Sequence, residues 1–253
     1  MKWRLNRINK FRINMFRVEN FKVTVGKLEI VKNINFEIPD GEIHYLMGSN
    51  GSGKSTLALG LMGYPSYQTE GKVFIDNKDI REYTTSDKAK LGLFLSMQNP
   101  PVIKGVTVIN LLKNAYQILV KNISILAFQK VIHQEIEKLG IDKSFLTRYV
   151  NDGFSGGEKK KLELLQLSLL KPKVAILDEP DSGLDVDAIN LFGTSLKQIV
   201  EDNHMSVLII THHTNLIHNL PPTKVYIMNK GEIIKQGGQE LVSEVAEKGF
   251  QGK

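Results

Sequence analysis

One stretch constrains this chain more than any other: Gly48-Ser49-Asn50-Gly51-Ser52-Gly53-Lys54-Ser55-Thr56, preceded by the apolar run 43–47 and followed by the helix-like run 57–62. It reads as strand, glycine-rich loop, helix start. Gly48, Gly51 and Gly53 open backbone dihedrals closed to other residues. Successive N–H groups of residues 48–56, Ser49, Asn50 and Ser52 among them, can then turn inward around a polyphosphate at the positive end of the following helix. In such a loop Lys54 reaches the β and γ phosphates, Ser55 offers a hydroxyl to Mg²⁺, and Thr56 offers another near the α phosphate. The full G-x-x-x-x-G-K-S/T pattern in its strand-loop-helix setting predicts a nucleoside triphosphate site, not a glycine-rich turn with a chance lysine.

The 253 residues, 42% hydrophobic and 24% charged, suit a soluble globular protein that buries about three quarters of its unfolded surface. No apolar run approaches the ~20 residues that span a bilayer, and no signal peptide opens the chain, so membrane insertion is not expected. The default compartment is the cytoplasm. Cysteine is absent, which excludes disulfides, a thiol nucleophile and thiolate metal sites. Much of the net charge of +6 lies in Lys2, Arg4, Arg7, Lys10 and Arg12, a basic extension over 1–15 read as solvated, ahead of a domain over 16–253. No aromatic and basic face for nucleic acid is visible.

Runs 16–25, 30–38 and 42–47 read as strands, with Pro39-Asp40-Gly41 as a turn, and 71–75 returns to strand after a break over 63–67. Together they suggest an antiparallel layer feeding the strand before the loop. Run 91–97 reads as a buried strand that ends at Gln98. Helical spacing over 108–121 and 127–139 predicts a separate helical lobe, about 99–152, in which His133 is a surface or interhelical residue.

Ser155-Gly156-Gly157 opens a helix through 162–170 and is a second anion-binding device, although Ser155 with Glu158 also fits an ordinary capping box. Lys159, Lys160 and Lys161 read as a solvated face. The apolar run 174–177 delivers Asp178 and Glu179 to the carboxyl end of a buried parallel strand, Asp178 toward the Mg²⁺ shell and Glu179 toward an attacking water. Residues 181–185 form a tight turn before a helix over 186–200. The strand 207–210 ends near His212, read as a γ-phosphate contact, and 225–228 with 232–234 closes as a hairpin.

These motifs, in this order across 16–249, resemble the nucleotide-binding subunits of ABC ATPases. The resemblance implies an α/β fold with a RecA-like core, an antiparallel β subdomain and a small helical subdomain, and it adds the stroma of a plastid-type organelle, where the family occurs, to the cytoplasm as an expected compartment. It further implies hydrolysis of ATP with Mg²⁺ held by Ser55, Gln98 and Asp178, catalysis by Glu179, His212, Gln98 and Lys54, and an ATP-dependent head-to-tail dimer. In that dimer Ser155, Gly156, Gly157 and Asp185 would meet the nucleotide of the other copy. The forms Phe154-Ser155-Gly156-Gly157-Glu158-Lys159-Lys160 and Asp181-Ser182-Gly183-Leu184-Asp185-Val186-Asp187-Ala188 look like the soluble ATPases of SUF-type iron–sulfur cluster assembly, whose partner is a SufB–SufD scaffold. The alternative implied by the same motifs is the ATPase subunit of a membrane transporter. Val25, or a neighbour, stands where the family usually supplies an adenine-stacking aromatic, which leaves base selectivity open.

Overall fold

The structure, a computed structural model, describes residues 15–250; the basic stretch 1–14 lies outside the described residues. Alternating burial makes β1 (Met15–Val25) and β2 (Leu28–Pro39) half-buried strands, with Phe16, Val18, Phe21 and Val23 of β1 turned into a core. β3 (Ile43–Met47) is buried along its whole length and leads through the phosphate loop into α1 (Lys54–Met62). There follow β4 (Tyr67–Ile75), β5 (Lys78–Asp79), α2 (Thr85–Lys90) and β6 (Leu93–Ser96). A lobe of β7 (Ile103–Thr107), α3 (Val108–Leu119), α4 (Ile125–Lys138) and β8 (Tyr149–Val150) comes next. The chain returns through α5 (Gly156–Leu170), β9 (Val174–Asp178), α6 (Val186–Asn203), β10 (Ser206–Thr211), β11 (Lys224–Asn229), β12 (Glu232–Gly237) and α7 (Glu240–Lys248).

Two sheets result. The antiparallel one runs β2-β1-β4-β5, and the six-stranded one runs β12-β11-β3-β10-β9-β6. In the latter β11, β3, β10, β9 and β6 are parallel, and β12 closes the edge antiparallel. Register brings Met47 beside Thr211, Asp178 beside Ile210, and Ser96 beside Leu177. The loops after four parallel strands therefore leave at one edge, where open α/β sheets bind ligands.

α5 joins the sheet to the lobe. Leu164 and Leu167 belong to the core under the parallel sheet, whereas Leu162, Leu165 and Leu169 pack with Val108, Leu112, Phe128, Ile132 and Ile136 of α3 and α4. Each such fully buried side chain contributes about 1.5–3 kcal/mol, so the lobe is held to the sheet through a helix that both cores need.

Enclosure of α5 also corrects the expected solvated lysine face. Lys160 is buried, its Nζ 2.8 Å from Glu163 Oε2 and 5.9 Å from the centre of the Phe192 ring. Other departures are short or local. β4 starts at Tyr67, inside the expected break, because Tyr67 pairs with Val25 across the sheet. The six-residue α2 carries too little periodicity to be read from sequence, and the two-residue β8 is a strand only through its pairing with β7. Among the described residues no helix is long and apolar enough to cross a membrane.

Candidate active site

Between β3 and α1 the loop turns where only glycine fits. A Cβ on Gly48 would lie 2.3 Å from the Met228 carbonyl oxygen, and Gly53 caps α1 at φ 105° with no side-chain cap of its own. Lys54 is buried, and its ammonium donates to the carbonyl oxygens of Gly48 at 2.8 Å and Ser49 at 2.9 Å. Burial pulls its pKa below the usual lysine value, while the nearby Glu179 and Asp178 charges pull the other way. Ser52, also buried, folds under the loop with its N–H donating to Ser49 O at 3.2 Å. A cleft of about 790 Å³ opens here, lined by Asn50, Gly51, Gly53, Lys54, Ser55 and Thr56 on one side and by Gln98, Glu179 and His212 on another.

Asp178 ends β9 in a buried position. Its burial raises the carboxyl pKa, opposed by the nearby Ser55 hydroxyl and by Lys54. Its Oδ1 is buried with no hydrogen-bond partner. An orphaned carboxylate oxygen beside a serine hydroxyl at a phosphate loop fits Mg²⁺, which takes one or two protein oxygens and fills its remaining positions with water and phosphate. No group of three or more His, Cys, Asp or Glu that could hold a metal occurs among the described residues, so a full protein cage is not what the site offers.

Glu179 adopts a left-handed backbone at φ 49°, and its N–H donates to Ile210 O at 2.8 Å. That twist at the strand end carries its carboxylate toward the neighbouring loops. His212 Nδ1 lies 3.0 Å from Oε1, and the Gln98 amide hydrogen-bonds to Oε2. The sequence separates these two residues from Glu179 by dozens of positions; the sheet edge joins them to it directly. Behind them Thr211 donates to Asp181 at 3.0 Å and accepts the His213 N–H at 3.0 Å, which fixes the backbone on either side of His212. Asp181, buried, is legible in the sequence only as part of a turn.

The second anion device stands apart. Ser155 caps α5 in a reciprocal box: Glu158 N–H donates to Ser155 Oγ at 3.2 Å, and Ser155 N–H donates to Glu158 Oε2 at 2.8 Å. Arg148 also pairs with Glu158. Asp185 caps α6 by accepting the Ala188 N–H at 2.8 Å. Ser155, Gly156, Gly157 and Asp185 do not line the phosphate-loop cleft of their own chain, whereas Ser182 does.

A phosphate loop at the carboxyl edge of a parallel sheet, with an acidic pair at the end of β9, two strands away in the same sheet, defines a P-loop nucleotide-binding cassette. The chain belongs to the ABC transporter family, whose model matches residues 31–182, and is an ATP-hydrolysing cassette of that family. It is 41% identical over 226 residues to "Vegetative protein 296" of Bacillus subtilis, covering 88% of this chain and 86% of that one. It is also 41% identical over 233 residues to "Probable ATP-dependent transporter ycf16" of Antithamnion sp., covering 90% and 92%. The fold is similar to that of a nucleotide-free ATP-binding cassette from an ABC transporter, at TM-score 0.75 and 23% identity over 92% of this chain and 95% of that one. It is likewise similar to the dimeric structure of a bacterial ABC transporter cassette, at TM-score 0.76 and 21% identity over 88% and 98%.

Proposed function

We propose that this cassette is a SufC-type ATPase, which dimerises around ATP to move a SufB–SufD-like scaffold in iron–sulfur cluster assembly. The observation that carries the catalytic part is the clamped Glu179, held by Gln98 and His212 beside the buried Asp178 and the exposed Ser55. The signature form Phe154 to Lys160 and the turn Asp181 to Ala188 favour the SUF branch.

In this reading the N–H groups of residues 48–56 wrap the phosphates, and the Lys54 ammonium exchanges the Gly48 and Ser49 carbonyls for β and γ oxygens. Ser55 and Asp178 would hold Mg²⁺, with the Gln98 carbonyl oxygen free to join them because its amide N–H is used by Glu179. When bound, the ion neutralises charge developing on the transferred phosphoryl group. Glu179 orients the attacking water and accepts its proton at a carboxylate oxygen, and His212 holds that carboxylate in place and contacts the γ phosphate. Ser155 and Gly157 meet the γ phosphate of a second copy, head to tail, with Asp185 at the same interface. The lobe that follows Gln98 passes nucleotide state to the scaffold through α5, which is anchored in both cores.

A second reading, the ATPase subunit of a membrane transporter, is favoured by the transporter names of the relatives. Tagged Glu179→Gln protein, recovered from native cells with MgATP and mild detergent, separates the two. Co-purifying soluble scaffold proteins rich in cluster ligands support the SUF reading, and multispanning membrane proteins overturn it.

A further inference from the structure

The cleft has a second end that the phosphate chemistry does not use. Val25, Leu28, Ile30 and Tyr67 line it, all contributed by the antiparallel sheet. β1 brings Val25 there, β2 brings Leu28 and Ile30, and β4 brings Tyr67. Val25 is the direct register partner of both Leu28 and Tyr67, so three of these residues sit side by side across three strands. The two ends are contiguous. β2 passes beside the phosphate loop, where the Ile30 carbonyl oxygen would lie 3.3 Å from a Cβ on Gly53. Leu28 is 68% exposed, an apolar surface at the rim that a bound planar group would cover.

We infer that Tyr67 is the platform on which the nucleotide base stacks, supplied by β4 because β1 presents only Val25 at this place. The inference rests on the nucleotide reading of the cleft and assigns the residue that reading left open. Tyr67 is half-buried, packed from below by the sheet core while still lining the cleft. The Tyr64 ring supports it edge-on, with centroids 5.4 Å apart and planes at 62°. The mounting is rigid as well. Tyr67 N–H donates to Tyr64 O at 3.0 Å, and Tyr64 N–H donates to Leu59 O at 3.0 Å, which ties the platform to the helix whose other end opens the phosphate loop. Base and phosphates are thus received by parts of one unit, with little ordering left to do on binding. An aromatic face between aliphatic walls holds a purine through stacking and dispersion.

Calorimetric binding of MgATP and of magnesium tripolyphosphate, which has no base, tests this on the full chain. In Tyr67→Ala, ATP affinity is expected to fall about tenfold to a hundredfold with tripolyphosphate affinity unchanged, and Tyr67→Phe is expected to keep both. The unchanged tripolyphosphate affinity also shows that the variant is folded. Equal losses for the two ligands, no loss for ATP, or a Tyr67→Phe protein as weak as Tyr67→Ala would each overturn the platform. A wild-type chain that binds tripolyphosphate as tightly as ATP would overturn it while leaving the phosphate cradle intact. One that binds neither ligand would remove the nucleotide reading beneath it.

Discussion

Two helices of this protein begin in glycine and serine, and they begin in opposite states. α1 starts at Gly53, left-handed and without a side-chain cap, with a buried lysine folded back onto the loop carbonyls. α5 starts at Ser155 inside a closed box with Glu158, which Arg148 also holds. Orphan N–H groups at a helix start need partners. The first start leaves them to an incoming anion, whereas the second meets part of the need with its own side chains. A helix start of similar composition is therefore not automatically an equivalent anion site. If the proposed function holds, the α1 start binds nucleotide in a single chain, and the α5 start engages only when a second copy brings a phosphate to it.

The largest effect expected is on Glu179. Replacing it with glutamine removes the proton acceptor, so single-turnover hydrolysis should fall about 10²–10⁴-fold while ATP affinity, measured by calorimetry, stays near wild type. Unchanged hydrolysis would break the role assigned to the clamp. Lys54→Ala comes next and acts on the open helix start: ATP affinity of the monomer should drop by about a hundredfold or more, because a charge-assisted contact with two phosphates is lost. Ser155→Ala acts on the closed start and isolates its contribution. Monomer affinity for ATP should hold, chemical denaturation should report a loss of about 1 kcal/mol from the broken cap, and steady-state hydrolysis should fall. An equal loss of monomer affinity in the Ser155 and Lys54 variants would erase the distinction.

The far ends of the two helices differ as well. Lys171, left-handed at φ 48°, ends α5, whereas α1 ends against Lys88 of α2, which is 1% exposed and donates to Leu61 O at 2.9 Å. Burial pulls the Lys88 pKa to about 8; Arg81 adds to that shift and Asp79 opposes it. Between about pH 8 and the unfolded value near 10.5, the unfolded chain binds the proton and the folded chain releases it, so folding gains stability as pH rises through this window. Denaturant titrations should therefore show wild type gaining on Lys88→Met by up to about 3 kcal/mol across that interval, with the smallest consequence for function of the four substitutions. A flat difference would mean that Lys88 keeps its ordinary pKa.

Much of this site is legible in the sequence, and the rest is hidden for definable reasons. The phosphate loop, the apolar strand ending in Asp178 and Glu179, and the Ser155 capping box each rest on contiguous residues, so local pattern carries them. The grip of Gln98 and His212 on Glu179 depends on strand order, with β6, β9 and β10 adjacent, and pattern alone does not report adjacency. Tyr67 reads as part of a break because Gly63 and Pro65 punctuate the run before it; its strand character comes from Val25 opposite. Lys160 looks solvated beside two other lysines, and only the enclosure of α5 between two cores makes it a buried partner of Glu163.

Everything proposed for hydrolysis depends on one nucleotide being served by the α1 start of one copy and the α5 start of another. Sedimentation of Glu179→Gln protein with and without MgATP puts this to the test, with Glu179→Gln carrying Ser155→Arg as the matched variant. A shared nucleotide requires a monomer without ATP, a dimer with it, and a monomer that still binds ATP when Ser155 is replaced. A Glu179→Gln protein that stays monomeric at saturating MgATP, or a Ser155→Arg variant that dimerises as readily, would contradict it.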